Sequence, residues 1–285
     1  MAMRPFRRGF NRQLPLWEYV GYPDDETPER RRLLYAIVVL RLGLGLLLLL
    51  RGGSAVFLPA PDGFTMRLGD PARWGFSPAT SDLALFLLGC TEIAAGALLL
   101  CGAFTRVSAV TGTVLCCLYL ALGRSLTGAA LIGLCAAIGG LLIPVICGSP
   151  FLGADRALDK LEEEERDRAP AVLPRRADVT PLFARLGLAA GLAGWGLGYQ
   201  TRWFGVLGLV LALALVLGWR TRVVALAALL AGTAIALGWH GEETGTWFFL
   251  APLAVGGALL VAGGGQRSLD CGARPPQPPN ARGSR

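Results

Sequence analysis

LLYAIVVLRLGLGLLLLL, residues 33–50, is eighteen residues long and carries a single charge, Arg41. At about 1.5 Å per residue, a helix over this stretch matches the hydrocarbon thickness of a bilayer. Seven further apolar runs follow, near residues 81–102, 104–123, 127–147, 182–200, 202–219, 221–239 and 246–264. Hydrophobic residues make up 53% of the 285-residue chain and charged residues only 16%, too few to cover a water-facing surface. The expected fold class is an all-α membrane protein with eight transmembrane helices, and a soluble enzyme is excluded by the same balance.

The polar remainder sets the boundaries. Residues 1–32 are arginine-rich, with no early apolar core of a secretory signal, and read as a cytoplasmic N-terminal segment. A first membrane unit over 33–153 includes an external loop at 52–81, and a charged linker over 154–181 holds Glu162, Glu163, Glu164 and Glu165 with Pro170 and Pro174. A second unit covers 182–265, and 266–285 is a polar, disordered tail. Eight spans place both termini on one side. The basic residues of the leader, linker, tail and the turns at Arg106, Arg220 and Arg222 number twenty, against five (Arg51, Arg67, Arg73, Arg124, Arg202) on the other side. By the positive-inside rule both termini are cytoplasmic, in a bacterial-type inner membrane. The net charge of +7 is then a topology and headgroup signal. No nucleic-acid partner is expected, since no folded basic surface interleaved with aromatics is available.

The two sets of four runs share landmarks in the same order. Arg41-Leu42-Gly43-Leu44 returns as Arg185-Leu186-Gly187-Leu188, and the turn Gly102-Ala103-Phe104-Thr105-Arg106-Val107 returns as Gly218-Trp219-Arg220-Thr221-Arg222-Val223. Gly153, Arg156, Leu158 and Asp159 return as Gly264, Arg267, Leu269 and Asp270. An even number of spans separates the copies, so the expected arrangement is two parallel four-helix repeats rather than an inverted pair. Within the turn motif, Gly102 and Gly218 end a helix, Thr105 and Thr221 cap the next, and Arg106 and Arg222 reach the headgroups.

These residues resemble the DoxX-like family of membrane proteins, built of four-helix units. The pattern is carried by Arg41-Leu42-Gly43, Glu92 with Gly96, the Gly102–Arg106 turn, and Arg156 with Asp159. The resemblance implies association with membrane redox complexes that handle sulfur or thiol compounds, with other membrane subunits and the lipid bilayer as partners and quinone as the cofactor close by. It implies an accessory or quinone-proximal subunit with no catalytic residues of its own. A structural scaffold and a small-solute or proton pathway are the alternatives.

Glu92 is the one acid well inside an apolar run, and an ionisable group at that depth points to function. Counted from the cytoplasmic helix ends, Arg41 lies about 12 Å deep and Glu92 about 15 Å, so an intramembrane Arg41–Glu92 pair is expected. With the offset set by Thr105 and Thr221, Glu92 falls opposite Gly208, which leaves the first unit alone with such a site. His240 stands without a second histidine or cysteine nearby and reads as a loop residue, so no metal site is expected. Cys116 and Cys117 read as apolar packing.

Overall fold

The computed structural model describes residues 28–57, 78–122, 128–148, 153–155, 180–198, 202–238 and 250–264. These residues are all-α and form eight helices: α1 (Pro28–Phe57), α2 (Pro78–Cys101), α3 (Thr105–Leu122), α4 (Gly128–Cys147), α5 (Thr180–Gly198), α6 (Arg202–Leu217), α7 (Thr221–Gly238) and α8 (Leu250–Ala262). Each grows from one of the apolar runs. The clearest boundary correction is at the C-terminal end of α1, which passes Gly52 and ends at Phe57, so the loop read from residue 52 starts later. The helix persists because Gly52 packs against α2, where a Cβ would meet the Glu92 Cβ at 2.8 Å. Pro78 opens α2 in its first turn, where a missing N–H costs nothing. The polar loop residues Asp62 to Trp74, His240 and most of the linker, leader and tail lie outside the described residues. Among the described residues, Arg31–Phe57 is long and apolar enough to cross a membrane by itself, and the remaining helices hold shorter apolar stretches such as Phe86–Cys101 and Leu131–Cys147.

Packing follows one plan in both halves. α1 packs on α2 and α3 on α4, and likewise α5 on α6 and α7 on α8. The halves meet through α4 on α5, α8 on α1 and α4 on α8, which places α1, α4, α5 and α8 at the centre. Two of these crossings are made by small residues at matching positions. A Cβ on Gly187 would lie 2.7 Å from the Cα of Gly139, and one on Gly43 would collide with the methyl group of Ala254. Gly43 and Gly187 sit at the same place in their Arg-Leu-Gly-Leu sequences. Close approach of this kind replaces the hydrophobic drive that lipid cannot supply.

The peripheral helices turn apolar side chains outward, with Val107, Val110 and Val114 on α3, and Val206, Val210 and Leu213 on α6 exposed. Arg41, Arg51, Glu92 and Arg185 are buried instead. This is the reverse of a water-soluble surface, where charge faces out and apolar mass faces in.

The turn after α2 recurs bond for bond after α6. Gly102 (φ 65) donates its N–H to Leu99 and Ala103 to Leu98; Gly218 (φ 69) donates to Leu215 and Trp219 to Ala214. This pair of bonds is a Schellman closure, which needs a left-handed residue at the glycine position. Phe104 (φ 48) and Arg220 (φ 43) then adopt the left-handed region without being glycine.

The role of Thr105 differs from expectation. Thr105 is fully buried and its hydroxyl makes no hydrogen bond among the described residues. The start of α3 is capped from fifty residues away, where the N–H groups of Phe104 and Thr105 donate to the two Asp155 carboxylate oxygens at 2.7 and 2.8 Å. The Asp155 N–H returns a bond to the Gly102 carbonyl at 2.9 Å. Arg106 folds back toward Gly148 at the end of α4, and Arg222 donates to the Val261 carbonyl at the end of α8. A cation there meets carbonyls that have no helical partner and the negative end of the helix dipole, while both side chains stay exposed. Asp155→Ala is expected to cost about 1–2 kcal/mol by uncapping α3, with Asp155→Asn recovering part of it, read from unfolding in detergent.

Candidate functional site

α1 and α2 run antiparallel and touch through two pairs of glycines. A Cβ on Gly96 would lie 2.7 Å from the Gly45 carbonyl oxygen, and one on Gly89 would lie 3.2 Å from that of Gly52. These contacts fix the register, and they bring Glu92 level with the outer part of α1. Its partner is Arg51, with Nη1 3.5 Å from Oε1. The Arg51 guanidinium also lies over the ring of Tyr119 on α3, 3.5 Å from the centroid. The Tyr119 hydroxyl donates to the Glu92 carboxylate. Arg51, Glu92 and Tyr119 are 5%, 1% and 5% exposed, and buried Cys116 stands one turn before Tyr119. Three helices thus contribute a cation, an anion and a phenol to one closed cluster.

The expected Arg41–Glu92 pair is corrected by this arrangement. Arg41 points instead to the turn between α2 and α3, where its Nη1 would lie 2.6 Å from a Cβ on Gly102 and where Asp155 interacts with it electrostatically. Helix side chains lean toward the N-terminus, so both arginines of α1 reach about one turn back, Arg41 to the turn and Arg51 to Glu92. Arg51 also leaves the set of outer headgroup charges, because it is drawn into the bundle. The missed signal was in the glycines: Gly45 and Gly52 on α1, and Gly89 and Gly96 on α2, have the same seven-residue spacing, which sets the register without any depth estimate.

Taking charges out of water costs several kcal/mol each, and a single poor contact does not repay it. Here the guanidinium has two partners. A desolvated cation–π contact contributes about 2 kcal/mol beside the ion pair. At 3.5 Å the ion pair is longer than a charge-assisted hydrogen bond of about 2.7–2.9 Å, and Glu92 Oε1 makes no hydrogen bond among the described residues.

The second half keeps the joints and lacks the cluster. Arg185, Gly218, Thr221, Arg222 and Gly263 answer to Arg41, Gly102, Thr105, Arg106 and Gly148, whereas Arg51, Glu92, Cys116 and Tyr119 fall opposite Trp195, Gly208, Gly232 and Ile235. Among the described residues no group of three or more His, Cys, Asp or Glu side chains could hold a metal ion. Cys116 is buried and Cys117 exposed, so the vicinal thiols face apart.

Buried charge inside an apolar exterior is the pattern of a membrane protein's helical bundle, here with an ionic cluster in its interior. Within it, residues 36–125 are a DoxX family domain, which spans most of α1 and all of α2 and α3 and contains Arg41, Arg51, Glu92, the Gly102–Arg106 turn and Tyr119. No curated protein and no solved structure matches the chain.

Proposed function

We propose that this chain is a multi-pass subunit of a bacterial-type inner membrane, its eight helices crossing as two parallel four-helix repeats with both termini cytoplasmic. Its role is that of an accessory subunit in a membrane redox assembly that handles sulfur or thiol compounds. One observation carries the reading furthest: the Arg51–Glu92–Tyr119 cluster lies in the DoxX domain and has no counterpart in the second half, which builds the same turns and packing without it. A feature that the four-helix plan does not require is retained for something other than folding.

Quinone does not fit inside the cluster. The guanidinium is in contact with the phenol ring at 3.5 Å, and Glu92 is pressed against Gly52, which leaves no slot for a ring between them. No electron-transfer step is therefore derived through these residues, and the accessory role is preferred to quinone contact at this point.

The test is purification of the full chain from native membranes in mild detergent. A stoichiometric oxidoreductase carrying flavin, haem or iron–sulfur absorbance should remain attached, and deletion of the chain should lower quinone-linked oxidation of sulfur compounds. A chain that purifies alone, with that oxidation unchanged by its deletion, overturns the reading. For topology, single cysteines at positions 165 and 280 in a cysteine-free background should both be labelled from the cytoplasmic side only. Labelling from opposite faces would remove the eight-span arrangement.

A further inference from the structure

We propose that Glu92 is a buried proton-binding site, alternating between a carboxylate paired with Arg51 and a neutral carboxyl, with exchange toward the outer face. Three features of the geometry support this. The Arg51–Glu92 contact at 3.5 Å leaves Oε1 without a hydrogen bond among the described residues, so a lone pair is open to a proton. When Glu92 takes that proton from water, the Arg51 charge is not stranded, because the Tyr119 ring faces it at 3.5 Å. The Tyr119 hydroxyl donates to the carboxylate and can turn to accept from the carboxyl, so both forms are held. From the helices packed on α2, the groups facing Glu92 are Arg51 of α1 with Tyr119 and Cys116 of α3.

The outer end of the bundle is the nearer one. Arg51 is six residues from the end of α1 at Phe57, about 9 Å along the helix. In the other direction, Leu44, Leu48 and Leu99 are almost completely buried between the cluster and the cytoplasmic turn. This layout holds a proton and does not conduct it through the bundle.

The experiment is infrared difference spectroscopy on the full chain in lipid nanodiscs during a pH titration. A carbonyl band of a protonated carboxyl in apolar surroundings should grow as pH falls and be absent from Glu92→Gln. Tyr119→Phe removes the hydroxyl that touches the carboxyl group, and should displace the midpoint while the helical content stays unchanged. A titration with no band that Glu92→Gln removes, or with such a band at constant intensity, overturns the proposal and leaves a fixed ion pair. The result does not depend on the redox reading: the band is present or absent whether or not an oxidoreductase copurifies, so failure of one is separable from failure of the other.

Discussion

Arg51→Gln is expected to destabilise the protein by about 3–5 kcal/mol, because it leaves Glu92 without a cation in a low-dielectric interior, where the side chain must stay charged unpaired or take up a proton. The substitution also removes the cation from the face of Tyr119. Glu92→Gln should be milder, since Arg51 keeps the phenol ring as a partner. The double change Arg51→Gln with Glu92→Gln should cost less than the sum of the two, as residues in contact require. Arg41→Gln combined with Glu92→Gln should instead be additive within about 0.5 kcal/mol, because Arg41 and Arg51 are ten residues, about 15 Å, apart on α1. Reversible unfolding in mixed detergent micelles measures these four variants and Arg41→Gln alone. Coupling between Arg41 and Glu92 larger than between Arg51 and Glu92 would reverse the assignment of partners.

Gly187→Val should be the most damaging change at the centre of the bundle. A Cβ there meets backbone atoms of α4, the Cα and N of Gly139 and the carbonyl oxygen of Cys135, none of which can rotate away. The helices must separate, at a cost of about 3 kcal/mol or more. Gly53→Ala is the control: nothing lies within 4 Å of its added carbon, and alanine is favoured over glycine in a helix by about 0.5–1 kcal/mol. Thermal unfolding in detergent should show opposite signs for the two substitutions, and equal effects would mean that the α4–α5 crossing is looser than its geometry.

The helices were legible because each rests on one apolar run, and their ends because Gly102, Gly218 and Pro78 punctuate them. The turn motif was legible as a repeat, but its chemistry was only half read. Thr105 has the side chain of a cap, yet the carboxylate that does the capping is Asp155, brought in by a fold that local sequence cannot show. Arg51 carries charge of the sort that statistics assign to headgroups, and packing turned it inward. Glu92 was found as soon as its depth was noticed. Its partner was missed because depth counted from helix ends ignores both the glycine register and the length of an arginine side chain.

Asp155 has one further consequence. It holds the start of α3 while standing next in the chain to the charged stretch that begins at Arg156. From Thr105 to Tyr119 is fourteen residues of unbroken helix, a rod about 21 Å long with the clasp at one end and the phenol ring at the other. A displacement of Asp155 is therefore delivered to the foot of that rod, and a tilt there swings its far end, and the ring beneath Arg51 with it.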